Sequence, residues 1–201
     1  MRMIMIAAAL GLGATAATSA HAETYGKIFG GAVLGSDHDV VLNIDGFEPV
    51  AGEYDTDTGF VVGGAYGFNL SEVISLEGEL AYRSNNVNSG VIEDVPLDGD
   101  GDINALSFMA NAVVTAPSLA GFAPYAGAGA GPARVGGGGD HDLVFAWQAF
   151  GGVSRNITEK MSAGVEYRYF DAGRSTLEGG PAVLDTEYDA HSVNLVLKRS
   201  F

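Results

Sequence analysis

Apolar and polar residues alternate with a period of two along several segments of the chain. The last segment, His191 to Phe201, sets four apolar residues on one parity against four polar residues on the other, namely Val193, Leu195, Leu197 and Phe201 against Ser192, Asn194, Lys198 and Ser200. Successive side chains of a β-strand point to opposite faces. The alternation therefore predicts a strand with one apolar face, one polar face and an aromatic residue at its end.

The same test predicts seven strands, and an eighth, Phe122–Arg134, is assigned by its position. The eight are Tyr25–Leu34, Thr58–Phe68, Ile74–Arg83, Asn104–Val114, Phe122–Arg134, Leu143–Ser154, Met161–Phe170 and His191–Phe201. The facing of 122–134 stays open, because Ala and Gly alternate there and two prolines interrupt the pattern. Three short turns, 69–73, 115–121 and 156–160, alternate with four longer connections. This arrangement predicts an all-β fold, an eight-stranded antiparallel up-and-down transmembrane β-barrel, with a soluble β-sandwich as the alternative.

Aromatic residues fall near both ends of the predicted strands. One set belongs to the short-turn end and comprises Tyr66, Phe68 and Phe201, and the other belongs to the opposite end and comprises Tyr82, Phe145, Trp147, Tyr167 and Tyr169. Two such girdles are typical of a barrel that crosses a membrane, because amphipathic rings prefer the two interfaces.

The first 22 residues have the pattern of a secretory signal peptide. Arg2 precedes an apolar run from Met3 to about Ala14, and Ala20-His21-Ala22 forms a small-x-small cleavage site. The run is too short to span a bilayer, although an N-terminal membrane anchor is the alternative. We therefore expect the barrel domain to comprise residues 23–201.

Acidic residues are concentrated in the long connections. The chain holds 25 acidic and 10 basic residues, for a net charge of −15, and it has no cysteine. The segments 36–57, 84–102, 135–142 and 171–190 hold 19 of the acidic residues and a single base, Arg174. We predict acidic outer loops, which argue against a nucleic-acid partner and offer sites where divalent cations can bind.

Charged residues also occur on the polar parity of the strands, which faces the interior of a closed barrel. They are Glu77, Glu79, Arg83, Glu166, Arg168 and Lys198. Charges in a confined interior need partners, so we predict that these six side chains form an ion-pair network that fills the lumen. Glycines on the neighbouring strands would leave room for them.

Three stretches carry a resemblance to a known family: Pro124-Tyr125-Ala126-Gly127-Ala128-Gly129, Glu166-Tyr167-Arg168-Tyr169-Phe170 and the terminal Phe201. With them, the whole chain after residue 22 resembles the small outer-membrane β-barrel domains related to opacity proteins and surface antigens, and to barrels of the OmpA and OmpX type. The resemblance implies an outer-membrane location, contact with lipid and lipopolysaccharide, and recognition of Val193, Leu195, Leu197 and Phe201 by the outer-membrane assembly machinery. We expect a monomer. Arg199 departs from the family pattern and should snorkel to the interface.

Several apparent ligand motifs have simpler interpretations. The alternating glycines at 127–131 are followed by Pro132 instead of the helix that a phosphate-binding loop needs. The acidic run 98–102 lacks the glycine and glutamate of a calcium-binding EF-hand loop. The triplets 37–39 and 140–142, each Asp-His-Asp, are ordinary loop residues unless two outer loops bring them together around a metal. We therefore predict no cofactor and no metal site.

A catalytic site is the remaining possibility. His191 and Ser192, with Glu187 or Asp189, are local candidates for acyl chemistry, but neighbours on a strand point to opposite faces. We therefore predict no catalytic residues. The predicted function is an integral outer-membrane protein with a structural, surface-antigen or adhesion role through acidic outer loops. The alternatives are a small porin and a lipid A-modifying enzyme.

Overall fold

The computed structural model describes residues 23–35, 37–44, 50–56, 58–92, 95–97, 101–137, 140–179 and 182–201. The predicted signal peptide lies outside the described residues and stays a prediction. The described residues fold into eleven strands: β1 Thr24–Val33, β2 Asp37–Ile44, β3 Val50–Thr56, β4 Gly59–Asn69, β5 Ile74–Ile92, β6 Val95–Leu97, β7 Gly101–Thr115, β8 Phe122–Gly137, β9 Asp140–Asn156, β10 Met161–Gly179 and β11 Ala182–Ser200.

Eight of these strands close into an antiparallel barrel. The order around the barrel is β1, β4, β5, β7, β8, β9, β10 and β11, and β11 pairs again with β1. The closing pair runs from Tyr25 opposite Ser200 to Val33 opposite Ser192. The predicted eight-stranded up-and-down barrel is confirmed.

Side chains alternate between the outer surface and the lumen. On β11, Leu195 is 72% exposed whereas the adjacent Asn194 is 0% exposed. On β5, Leu80 faces outward and Glu79 inward. A soluble β-sandwich would bury the apolar face, whereas here the apolar face is on the outside, as a barrel in lipid requires. Among the described residues, no helix is long and apolar enough to cross a membrane.

The structure also settles the facing of 122–134, which the sequence left open. Tyr125 and Gly127 face the lumen, and Ala126 and Ala128 lie on the outer surface. The Ala-Gly alternation therefore obeys the same rule as the other strands, with the smaller residue inside.

The three predicted short turns all lie at one end of the barrel, and two of them use the same chemistry. In the turn 70–73, Ser71 Oγ accepts hydrogen bonds from the backbone nitrogens of Val73 and Ile74 at 3.3 Å and 3.1 Å. In the turn 157–160, Thr158 Oγ1 accepts from Lys160 and Met161 at 3.3 Å and 3.0 Å. A hydroxyl at this position satisfies backbone donors that the ladder leaves free.

The long connections differ from the prediction, because most of their residues are in strands instead of loops. β5 continues to Ile92, β10 to Gly179, and β11 begins at Ala182. The β2–β3 hairpin is held on both sides, by β11 and by β5. Apolar-polar alternation arises where the two faces of a strand have different surroundings. Beyond the membrane this difference is lost, so the alternation no longer predicts a strand, although the backbone ladder continues. We call these extensions the outer hairpins.

The apolar part of the interior lies toward the outer hairpins. Its buried members include Phe29, Val33, Val61, Met109, Val135, Phe170, Tyr188 and Ala190. On β10, Phe170 is closer to the outer hairpins than Arg168 is. On β9, Ala146 is likewise closer to them than Gln148 is. The lumen therefore has an apolar outer part and a charged layer beneath it.

Phe201 ties the end of the chain to the first strand. Its backbone nitrogen donates to Thr24 O at 3.0 Å, and its ring stacks on Tyr66 with centroids 6.5 Å apart. Deleting Phe201 should leave export intact but lower insertion into the membrane, because the terminal aromatic of the closing strand is lost. The measurement is gel electrophoresis of boiled and unboiled samples, which gives the fraction of protein whose mobility changes on boiling.

The matched control for this prediction is Phe122→Ala, which removes another exposed aromatic at the short-turn end. That variant should insert normally. Equal insertion of the Phe201 deletion and the unmodified protein would contradict the prediction.

Candidate functional site in the barrel lumen

Charged side chains from two strands, β5 and β10, meet inside the barrel. Glu77, Glu79 and Arg83 share the inward parity of β5, and Glu166 and Arg168 share that of β10. All five are buried. A charge removed from water is costly unless it is paired and hydrogen-bonded, so the contacts of each group decide whether this layer is stable.

Arg168 lies at the centre of the layer. Its Nη2 and Nε donate to Glu166 Oε1 at 2.6 Å and 3.0 Å, and its Nη1 donates to Glu79. The ring centroids of Phe29 and Phe150 lie 4.4 Å and 4.7 Å from its guanidinium carbon. The guanidinium is thus held by two carboxylates and by two aromatic rings, whose π-systems attract a cation.

Gln148 connects Arg168 to the far wall of the barrel. Its side-chain oxygen accepts from Arg168 Nη1 at 3.2 Å and from Arg83 Nη2 at 3.3 Å. Its nitrogen donates to Glu79 at 3.0 Å and to Asn111 at 2.8 Å. Asn111 also donates to the second oxygen of Glu79 at 3.1 Å. Both oxygens of the buried Glu79 are therefore hydrogen-bonded.

Arg83 joins the network through neutral groups. Its Nη1 donates to Ser107 Oγ at 2.9 Å, and its guanidinium carbon lies 4.0 Å from the ring centroid of Phe170. The Phe170 ring meets Tyr188 edge to face, with centroids 6.2 Å apart. Arg83 is therefore one contact between the charged layer and the apolar part of the lumen, and Arg168 makes another through Phe29.

A second ion pair lies on the short-turn side of this layer. Lys27 Nζ is 2.6 Å from Glu77 Oε2 and 3.9 Å from Glu166 Oε2. Tyr25 donates to the other oxygen of Glu77 at 2.8 Å, and Tyr125 donates to Glu166 at 3.2 Å. With Lys27 included, three cations and three carboxylates face one another, so the buried layer carries no net charge.

Lys198 lies apart from this layer, in the mouth of the barrel. Its Nζ is 3.5 Å from the ring centroid of Tyr25. It lines a cavity of about 190 Å³ at the short-turn end, together with hydroxyl groups such as those of Ser154, Ser162 and Ser200. The lumen is thus open to water at this end and closed by the charged layer above.

Two inward glycines make room for the rings beside Arg168. A Cβ on Gly63 would come within 2.8 Å of Phe29 Cε1, and one on Gly127 within 2.6 Å of Phe150 Cε2. Both separations are shorter than carbon atoms tolerate, so each aromatic ring occupies the volume that its glycine neighbour leaves empty.

The six side chains predicted to form the lumen network are only partly brought together. Glu79, Glu166 and Arg168 are in direct contact, and Arg83 reaches them through Gln148. Glu77 pairs instead with Lys27, and Lys198 contacts Tyr25. Phe29 and Phe150, the aromatic members of the network, were not predicted from the sequence. The alternation could have found them, because Phe29 shares the parity of Lys27 and Phe150 shares that of Gln148.

The other candidate residues take the following positions. The side chains of Val193, Leu195 and Phe201 are exposed on the outer surface, and Leu197 is half-buried there. Their role as an assembly signal stays a prediction. His191 lies on the outer surface, with Nδ1 2.6 Å from Tyr167 Oη, whereas Ser192 is buried in the lumen. In the part of the chain that the structure describes, no group of three or more His, Cys, Asp or Glu side chains is placed to hold a metal.

The sequence matches the profile of the outer membrane protein beta-barrel domain over residues 5–201. The chain belongs to this family. The protein is therefore an outer-membrane barrel. In such barrels the short turns face the periplasm and the long connections face the outside of the cell.

Solved outer-membrane proteins share the fold. OprG of Pseudomonas aeruginosa superposes with a TM-score of 0.69 at 14% identity, covering 90% of this chain and 96% of its own. Neisserial surface protein A superposes with a TM-score of 0.54 at 15% identity, covering 89% of this chain and 97% of its own. The protease OmpT of Escherichia coli gives 0.55 at 8% identity, covering 89% and 97%. A search of curated proteins gave no match.

The charged layer of this outer-membrane barrel generates a stability prediction. Arg168→Ala leaves Glu79 and Glu166 buried without their cation, and the free energy of unfolding should fall by about 3–5 kcal/mol. The double change Glu166→Gln with Arg168→Met should cost less, because it also removes one of the two stranded carboxylates. The measurement is the denaturant midpoint of barrels folded in detergent.

Arg155→Ala is the matched control, since Arg155 is exposed and its guanidinium carbon lies 5.5 Å from the Phe122 ring centroid. Its midpoint should stay close to that of the unmodified barrel. A midpoint for Arg168→Ala that equals the control would mean that the layer is not needed for stability.

Proposed function

We propose that this outer-membrane protein serves a structural, surface-antigen or adhesion role, in which the barrel is the anchor and the acidic outer hairpins are the contact surface. The single observation that carries the proposal is the filled lumen, where Arg168, Glu79, Glu166 and Gln148 bond one another across the barrel. An eight-stranded barrel is only about wide enough for its own side chains. The chemistry available to a partner is therefore at the cell surface.

The outer hairpins support this role because their backbones are fixed. β2 pairs with β11 and β3 with β5, so the hairpin that starts after β1 is held on both sides. Asp37, Asp39, Glu53 and Asp55 are thus on hydrogen-bonded strands instead of a long free loop. A fixed surface costs less conformational entropy when a partner binds.

The small-porin alternative predicts a conducting path through the lumen. The periplasmic cavity of about 190 Å³ would be its entrance. Beyond it, the side chains of Arg83, Arg168, Glu79 and Glu166 are each at most 1% exposed. Side chains that exclude water to this degree leave no room for a hydrated solute, which favours the anchoring role.

The lipid A-modifying alternative needs a nucleophile, a base and an acid on one face. His191 and Ser192 lie on opposite faces of β11, and the nearest partner of His191 is the phenol of Tyr167. We therefore propose that the protein is not an enzyme.

The test of the proposed function replaces residues 37–56 by a two-residue turn, which removes β2 and β3 and leaves the eight barrel strands. The shortened protein should insert in the outer membrane and shift on boiling like the full chain. Cells that carry it should lose surface antibody recognition and attachment to host-cell or matrix surfaces. Attachment equal to that of the full chain, together with ion conductance in planar bilayers, would favour the porin alternative instead.

We also propose that divalent cations stabilise the outer hairpins. The register places Asp37 opposite Asp55 and Asp39 opposite Glu53. Like charges at opposing positions weaken a hairpin, and exposed charges are screened over about 8 Å at physiological ionic strength. Magnesium or calcium should therefore slow proteolysis of residues 37–56 more than sodium does at equal ionic strength.

Asp55→Lys should reduce this dependence, because it turns one pair of like charges into a pair of opposite charges. Glu159→Lys is the control, since Glu159 is in a periplasmic turn and should leave the cation effect unchanged. Proteolysis rates that are equal with and without divalent cations would rule the proposal out.

A further inference from the structure

The outer surface of the barrel carries an apolar groove of about 620 Å³. It crosses the four neighbouring strands β10, β11, β1 and β4. Its outward-facing lining residues are Ile28, Gly30, Val62, Ala163, Leu195 and Leu197. A barrel wall with a full side chain at every outward position would be convex here, so the groove needs a local cause.

The cause is two small outward residues, Gly30 on β1 and Ala163 on β10. Gly30 lies directly between Val62 on β4 and Leu195 on β11. A Cβ on Gly30 would meet only Val61 O, at 3.5 Å, which is ordinary contact distance. Ala163 lies between Leu197 on β11 and Arg155 on β9. The taller neighbours therefore form the sides of the groove, and the small residues form its floor.

A cation follows the groove on its periplasmic side, just outside the lining residues. Arg199 is exposed on the outward parity of β11, two residues beyond Leu197. Its guanidinium carbon is 5.9 Å from the Phe201 ring centroid, and that ring stacks on Tyr66. Aromatic rings and a snorkelling arginine mark the level of the lipid headgroups.

The distance along β11 from Arg199 to Leu195 is comparable to the depth of one leaflet. Over these residues the strand advances roughly 13 Å, at about 3.3 Å per residue, which is about 10 Å along the membrane normal for a strand tilted by about 40°. The outward apolar band of such barrels is about 25 Å tall, so half of it is about 12 Å. An acyl chain that starts at the level of Arg199 would therefore lie in the groove down to the centre of the bilayer.

We propose that the groove binds one phospholipid of the periplasmic leaflet, with an acyl chain along Gly30 and its phosphate on Arg199. The planar guanidinium fits two phosphate oxygens at once, which a lipid without phosphate cannot offer. The site is a lipid-binding site distinct from the general lipid annulus, because shape and charge select the occupant together.

The experiment is native mass spectrometry of the full barrel, folded in detergent and titrated with phosphatidylglycerol or with diacylglycerol of the same acyl chains. The unmodified barrel should retain one phosphatidylglycerol, and diacylglycerol should bind about tenfold or more weakly. Arg199→Gln should weaken the binding of phosphatidylglycerol by the same factor. Arg134→Gln, the control for an exposed arginine on β8, which does not border the groove, should bind as the unmodified barrel does.

Two further variants fill the groove, Gly30→Leu and Ala163→Leu, and each should lower phosphatidylglycerol retention. Gly78→Leu is their control, because Gly78 faces outward on β5 with open space around it. Retention that falls equally in Gly30→Leu and Gly78→Leu, or equally in Arg199→Gln and Arg134→Gln, would overturn the proposal. Binding of glycerol phosphate as tight as that of the whole lipid would also overturn it, and so would a dimer that Gly30→Leu abolishes, since the occupant would then be a second copy of the chain.

Discussion

Backbone hydrogen bonding is the constraint on which the rest of the structure depends. Inside a bilayer an unpaired N–H or C=O group has no water to bond, so a sheet must close on itself. The pairing of β1 with β11, from Tyr25 to Val33, removes the two edges that eight strands would otherwise expose. The curvature of this closed wall brings side chains of distant strands within bonding distance of one another in the lumen.

The closed wall inverts the usual arrangement of a protein interior. Large apolar side chains cover the lipid-facing surface, and the interior holds the buried charges of Glu79, Glu166 and Arg168 next to its apolar part. Separation of these charges from water is costly, and the structure offsets the cost with hydrogen bonds from Gln148 and Asn111 and with two rings against the guanidinium. The aromatic rings in turn fit because inward glycines leave their volume free.

The fold was predictable because the bilayer imposes a strict period of two on every spanning strand. The same reasoning assigned Glu79 and Arg168 to the lumen. It did not predict that Glu77 would pair with Lys27, since the choice of partner depends on the relative height of strands, which parity does not report. It also failed at the outer hairpins, where β5 and β10 continue past the membrane, because the lipid that imposes the alternation ends there although the backbone ladder continues.

The buried layer has a consequence for how the strands find their alignment. A shift of β10 by one residue would bring Tyr167 into the lumen and turn Arg168 toward hydrocarbon. An arginine at the bilayer midplane of a barrel costs about 2–4 kcal/mol, and Glu79 and Glu166 would lose their partner as well. A slip by two residues would keep the apolar face of a strand in lipid, since one apolar side chain would replace another. The charged layer would not tolerate such a slip, because Arg168 must stay at the height of Glu79. The buried ion pairs therefore favour the native strand register over shifted registers.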